Sequence, residues 1–347
     1  MAKKVTIATV ARYAGVSRQT VSNVLNTPEV VREETRRRVH EAVEALGYRA
    51  NQAARQMRTG RSRLIATRIE PTRDGINGSV LDRFLHGLTE AAAGSGYRVI
   101  LYTAADDEAE IATYEDLLGA YTPDAFVLAS THHGDARTSW LAARGMPFVT
   151  FGRPWDALDA HTWVDVDGAA GTEEATGHLL GSGHRRVAFL GWPEGSGVGD
   201  DRRSGWARAM AAAGLDVAGL AYVCEDRVAE AEAAVRGMLG AGEPPTAIVC
   251  ASDSLALGAF QAARAANPDA PVAVCGFDDT PVARAVGLTS VSQPLEEAAA
   301  HCVRLLTRQI AGEDVDGQNT GGQQEDGAAA PERVLLRPSL VVRRSTT

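Results

Sequence analysis

Aromatic residues make up only 5% of the chain, cysteines number four, and no apolar run approaches the ~18 residues that a membrane helix needs. The opening residues Met1 to Thr6 lead straight into a periodic segment, with no apolar signal-peptide core. The expected location is the cytoplasm, with no membrane partner. Cys224, Cys250, Cys275 and Cys302 form no C-x-x-C pair, which excludes the usual zinc spacings and predicts reduced structural thiols. No G-x-S-x-G or H-E-x-x-H occurs. Gly195-Ser196-Gly197-Val198-Gly199 departs from G-x-G-x-x-G, lacks a lysine and precedes Asp200 and Asp201, which would repel a phosphate. His132-His133 reads as part of a solvated loop, and Asp278-Asp279 has no spacing diagnostic of a glycosidase dyad. No cofactor, metal or catalytic residue is expected.

What the chain does have is charge unevenly placed. The total is −9, yet residues 1–62 hold twelve Lys/Arg against five acids, so this segment is +7 and the remainder −16. A basic head on an acidic body is the electrostatic outline of a nucleic-acid binder: cations meet phosphates, and the acidic body resists non-specific adhesion.

The head is predicted to be helical. Thr6 caps a helix carrying the apolar stripe Ile7, Val10 and Ala11, and Gly15 ends it. Ser17 caps a second helix whose Val21, Val24 and Leu25 face inward while Arg18, Gln19 and Asn23 face outward. A third helix runs from Glu33 to Leu46, with Val39, Val43 and Leu46 inward, and stops at Gly47. Two short helices joined by a glycine-containing turn, with polar side chains at the start of the second, form a helix-turn-helix.

The run Val5-Thr6-Ile7 through Ala11-x-x-Ala14-Gly15-Val16-Ser17-x-x-Thr20-Val21-Ser22-x-Val24-Leu25-Asn26 resembles the head of the lactose/galactose-repressor family of bacterial transcriptional regulators. Thr35-Arg36 through Leu46-Gly47-Tyr48-x-x-Asn51-x-x-Ala54-Arg55 continues the resemblance. Ala50, Arg32 and Met57 depart from the family's usual proline, serine and leucine. The resemblance implies that Arg18, Gln19 and Asn23 read bases. Their chemistry agrees, because Arg pairs with guanine O6/N7 and Gln or Asn with adenine N6/N7. It implies phosphate or capping contacts for Thr6, Ser17, Thr20, Ser22 and Asn26. It also implies a hinge helix over 50–60 in the minor groove, carried by Asn51, Ala54, Arg55 and the wedge residue Met57.

From Leu64 onward, short apolar runs alternate with helical stretches. The predicted strands lie at 64–69, 99–102, 125–128, 148–151, 187–190, 247–251, 272–276 and 291–293. The predicted helices lie near 79–94, 109–120, 169–182, 202–213, 228–240, 254–266 and 295–311. The pattern runs twice and breaks near Trp163–Asp167. The expected fold is therefore an all-α helix-turn-helix head (1–49) plus an α/β body of two doubly wound lobes, resembling periplasmic binding proteins. One lobe is 61–163 with 293–336, the other 164–292 with 337–347. Residues 316–332, rich in Gly, Gln, Asp and Ala, read as a flexible insertion.

Open α/β sheets bind ligands beyond their strand ends. By resemblance the effector positions fall on Arg153, Arg202, Ser252, Asp278 and Gln293, while Trp155 and Trp192 add indoles suited to sugar rings. Trp206 reads as packing. The expected partners are double-stranded operator DNA, a second copy of the chain and a small effector. A di- or oligosaccharide is favoured for the effector, with a purine-type co-repressor as the rival. A homodimer is expected, with a tetramer left open by the sequence, although no leucine-heptad tail follows Val342. A sugar-processing enzyme would leave the head unexplained.

Overall fold

The protein is described by a computed structural model covering residues 5–48, 56, 59–69, 75–269, 271–312 and 330–347. It divides into two compact units, Met1–Ser62 and Arg63–Thr347. The hinge positions Asn51, Ala54, Arg55 and Met57 lie outside the described residues.

In the first unit, α1 (Ile7–Ala14), α2 (Arg18–Asn26) and α3 (Glu33–Leu46) enclose a small core of Val10, Ala11, Val21, Val24, Val39 and Ala42. Thr6 and Thr9 form a reciprocal capping box at the start of α1. Ser17 caps α2, and Gly15 and Gly47 close α1 and α3 in the left-handed conformation. Arg32, which replaces the expected capping residue of α3, makes no side-chain cap bond. Glu33 and Glu34 in the first turn complement the helix dipole instead.

The second unit contains two parallel α/β lobes. The first sheet runs in the order β2 (Arg98–Tyr102), β1 (Leu64–Arg68), β3 (Ala125–Leu128), β4 (Phe148–Phe151), β5 (Trp163–Val166), β11 (Arg333–Leu336). The second runs β7 (Ala221–Val223), β6 (Val187–Gly191), β8 (Ala247–Cys250), β9 (Ala273–Phe277), β10 (Thr289–Ser292), β12 (Ser339–Val341). All recorded pairings are parallel except β10 with β12. Right-handed crossovers explain why helices cover the faces of each sheet and leave both faces apolar. These helices are α4 (Gly75–Gly94), α5 (Asp107–Ala120), α6 (Ala136–Ala143), α7 (Gly168–Gly181), α8 (Gly197–Ala212), α9 (Val228–Leu239), α10 (Asp253–Ala266), α11 (Pro281–Val286) and α12 (Leu295–Ala311).

The chain passes between lobes after β5, β10 and β11. The first passage follows Val166, later than the expected boundary at 163, because Trp163 to Val166 pair with β4 and β11 in the first sheet. Asp165 interrupts that apolar run and hid the strand. β7, β11 and β12 were also absent from the sequence reading; they are short strands bearing exposed or half-buried residues. Glu332, assigned to the flexible insertion, belongs to the first lobe. Its carbonyl accepts from Trp163 N, and its carboxylate pairs with Arg308 at 2.8 Å.

Candidate functional sites: the reading helix and the interlobe cleft

On the head, α2 presents Arg18 and Gln19 to solvent. Gln19 Nε2 donates to Asn23 Oδ1 at 3.0 Å. That bond uses one of the two Nε2 protons and leaves Gln19 with a donor and an acceptor, the complement of adenine N7 and N6. Ser17 Oγ accepts from Thr20 N at 3.0 Å and lies 2.9 Å from Thr20 Oγ1. One hydroxyl proton joins this pair, and the second can donate outward to a phosphate oxygen. Thr6 is likewise engaged as a cap yet exposed. Arg38 steadies the turn before α2, donating to the carbonyl of Ala14 at 3.0 Å.

In the body, the parallel order carries the strand ends of the second sheet to one edge. Trp192 follows β6, Ser252 follows β8, Asp278 follows β9 and Gln293 follows β10. Asp278 and Asp279 both adopt positive φ, 108° and 49°. Side-chain bonds hold this unfavourable backbone: Asp279 N donates to Ser290 Oγ, and Thr280 N to Asp253 Oδ2. Gln293 Nε2 donates to Asp278 Oδ1 at 2.6 Å, and Arg202 Nη2 stands 3.7 Å from the same oxygen. Burial pushes the Asp278 carboxyl up to about 7, against the pull of Arg202. Burial also lowers the Arg202 pKa.

Arg202 lies 3.7 Å over the Phe277 ring and 5.4 Å from the Trp192 ring, and Nη1 donates to Ala251 O. Its Nε is buried without a hydrogen-bond partner, and so is Trp192 Nε1. Among the described residues a third such side-chain atom is Nη1 of Arg83, whose Nη2 donates to the carbonyl of Gln293 at 3.4 Å. An unpaired buried donor costs ~1–3 kcal/mol, so two together mark a place that is completed by something carrying acceptors.

Three of the expected effector residues turn out to have structural duties. Ser252 caps α10 and donates to Asp226 Oδ1 at 2.6 Å, so its hydroxyl proton is committed within the protein. Arg153 Nε donates to Asp165 at 2.6 Å, and Nη2 reaches Asp201 of the other lobe at 3.5 Å. Trp155, also from the first lobe, lies against the start of α8. A Cβ added at Gly197 would sit 2.2 Å from its ring, so glycine is required there. Ser196 caps α8, which begins at Gly197, ahead of the expected 202. Trp206 is buried and donates to Val187 O, as expected of a packing residue.

The sequence reading missed Asp165, Asp201 and Asp226. Asp165 and Asp201 are joined to Arg153, and Asp226 to Ser252. Asp165 lies inside β5, where an acid in an apolar strand is the one local signal; Asp201 in the early turns of α8 and Asp226 in the loop after β7 carry none. His132 and His133, read as a solvated pair, each face a carboxylate: Asp107 at 3.1 Å and Asp156 at 2.7 Å.

Residues 6–51 match the family described as bacterial regulatory proteins, lacI family, and residues 176–346 match the periplasmic binding protein-like domain. The regulator CelR of Thermobifida fusca is 31% identical, over 99% of this chain and 98% of that protein. The chain belongs to the lacI family. It is accordingly a DNA-binding transcriptional regulator and not an enzyme. AglR of Rhizobium meliloti (strain 1021), another lacI-family relative, is 33% identical over 99% of this chain and 94% of its own length. The lac repressor dimer bound to operator and the anti-inducer ONPF superposes with a TM-score of 0.81 at 25% identity, covering 99% of both chains. A complex of CelR with cellobiose gives 0.70 at 29% identity, covering 98% of this chain and 99% of that one. Among the described residues no helix is long and apolar enough to cross a membrane.

Proposed function

We propose that this regulator is a dimeric repressor, released from a near-palindromic operator when a neutral di- or oligosaccharide enters the cleft between its lobes. The observation that carries the effector reading is the pair of unpartnered buried donors, Arg202 Nε and Trp192 Nε1, beside the acceptor Asp278. A sugar hydroxyl both accepts and donates, so vicinal hydroxyls can satisfy the two donors and the carboxylate at once. The indole beside them can stack on a ring face. Cellobiose bound to the relative CelR supports a glucose-type disaccharide as the first candidate.

On the head, Arg18, Gln19 and Asn23 would read base edges in the major groove, with Thr6, Ser17, Thr20, Ser22 and Asn26 on the backbone. Residues 50–60, with Met57 as wedge, would couple ligand state to the minor groove. Two-fold protein symmetry would demand two matching half-sites.

The test is thermal melting of the full chain against cellobiose, other glucose-type oligosaccharides and purines. A ligand present at 100 Kd stabilises by about 2.7 kcal/mol. A disaccharide that raises the melting temperature and frees the operator in a mobility-shift assay is the expected result. A purine that stabilises and tightens operator binding would replace this reading with a co-repressor.

A further inference from the structure

The first lobe carries a second group of ligand-type side chains, none of them shared with the unpartnered donors Arg202 Nε and Trp192 Nε1. A pocket of about 280 Å³ opens between the loops that follow β3 and β4, with His132, Asp135, Trp155, Asp156 and His161 in its wall. Behind it stands Asp107, at the start of α5, while Asp135 in the wall caps α6. One ligand atom from each of Asp107, His132 and Asp135 lies within 4.8 Å of the other two.

Hydrogen bonding fixes how the His132 ring is presented. Nδ1 lies 3.0 Å from the carbonyl oxygen of His133, which can only accept, so Nδ1 carries the proton. In the neutral ring Nε2 is then a lone pair, and it faces a second acceptor, Asp107 Oδ1, at 3.1 Å. Two acceptors at that distance need a cation between them, either a proton or a metal. A histidine that gives one N–H to a backbone carbonyl while aiming its other nitrogen at a site is the usual arrangement of a metal-ligating imidazole. With metal–ligand bonds of ~2.0–2.1 Å, an N···O separation of this size corresponds to an angle of about 100° at the metal, near the tetrahedral value.

The surroundings suit such an ion. Arg137 is buried and pairs with Asp135 at 2.7 Å, Glu110 at 3.0 Å and, at 3.5 Å, Asp107 Oδ1, the oxygen that also faces His132, so its guanidinium orients both aspartates. Three carboxylates (Asp107, Glu110 and Asp135) outnumber the two guanidiniums that reach them, Arg68 and Arg137. Asp156 at the pocket wall adds a further acid.

We propose that Asp107, His132 and Asp135 bind a divalent cation of the zinc class. Imidazole with carboxylates suits zinc better than calcium or magnesium, which prefer all-oxygen shells. Three protein ligands leave a fourth position, and it opens into the pocket, because His132 and Asp135 both line it.

The test is calorimetric titration of zinc chloride into the chelator-treated full-length protein, with His132→Ala, Asp107→Asn and His133→Ala compared in parallel. His132 is half-buried at the pocket wall, and the melting temperature of the zinc-free variant checks that its loss leaves folding intact. One zinc per chain is expected. Affinity should fall roughly tenfold or more in His132→Ala and Asp107→Asn and stay unchanged in His133→Ala. Cobalt substituted for zinc should give the strong visible absorption of a four-coordinate ion. No zinc uptake by the wild type would overturn the proposal, leaving an imidazolium–carboxylate pair. Equal uptake by His132→Ala, or a loss confined to His133→Ala, would overturn it as well.

Discussion

On the head, Arg18 and Gln19 stand in solvent, and the recorded side-chain bond of Gln19 runs to its own helix neighbour Asn23. In the cleft, Arg202 and Asp278 are 6% exposed, and each is tied to groups that come from other strands. The two regions use the same side-chain chemistry in opposite states of hydration. The head keeps its reading groups wet, so binding can exchange water for base edges with little reorganisation. The cleft shields its groups from solvent, and the desolvation cost shows in the Asp278 carboxyl pushed up to about 7 by burial. A solvated reader tolerates substitution at the level of fold; a desolvated cluster does not.

The largest effect that would test this contrast is Arg202→Ala. It removes the central cation of the cleft and leaves Asp278 buried, a loss of up to ~3–5 kcal/mol less whatever Asp278 recovers by taking a proton. Disaccharide binding, measured by calorimetry on the full chain, should fall more than about 100-fold, since ~2.7 kcal/mol suffices for that factor. Operator affinity without ligand should stay within experimental error. Sugar binding of equal strength in the variant would place the ligand elsewhere and dissolve the contrast.

The difference between the regions also explains what the sequence could reveal. The head is three short helices whose apolar stripes, caps and terminal glycines all fall within a few residues of one another. Local rules therefore located α3 at its observed ends and put Arg18, Gln19 and Asn23 on the outer face. In the cleft, strand ends could be recognised one at a time, which placed Trp192, Asp278 and Gln293 near such ends, while the effector roles of Arg202, Asp278 and Gln293 came from the family resemblance. Which partner each would take depends on sheet order, which sequence spacing does not encode. The bonds that Ser252 makes to α10 and to Asp226 could therefore not be read in advance. Nor could the joining of Arg153 to Asp165 and Asp201, or the packing of Trp155 on Gly197. Asp226 escaped notice because nothing local distinguishes it from any other acid in a loop.

A middle-sized effect is expected on the head. Arg18→Ala should weaken cognate operator binding by ~1–3 kcal/mol, or about 5- to 150-fold, and relax preference at one position in each half-site. Its folding stability should change by no more than ~0.5 kcal/mol, as for a surface substitution, in contrast to Arg202→Ala. Asn23→Ala should act in the same sense but more weakly, partly by releasing Gln19 from its 3.0 Å bond. A randomised-operator selection that returns the same consensus for wild type and Arg18→Ala would remove Arg18 from the reading set.

The most direct measure of the desolvation that separates the two regions is the pH dependence of stability. Asp278 has a folded-state pKa raised from 3.8 to about 7, chiefly by burial. Between those values the folded state holds a proton that the unfolded chain has released. Unfolding free energy therefore falls as pH rises through this window and levels off above about 7, once the buried carboxylate is ionised in both states. Asp253 is shifted in the same direction, to about 6, so the wild-type slope is shared and Asp278 supplies only part of it. Asp278→Asn removes that part: the variant should gain on the wild type as pH is raised from 4 to 7 and hold a constant difference beyond. Arg18→Ala, which touches no buried acid, should track the wild type across the same range. Urea denaturation of all three proteins at closely spaced pH values reads the slopes. Parallel curves for wild type and Asp278→Asn would mean that Asp278 keeps an ordinary pKa, and that the cleft is as well hydrated as the reading face of the head.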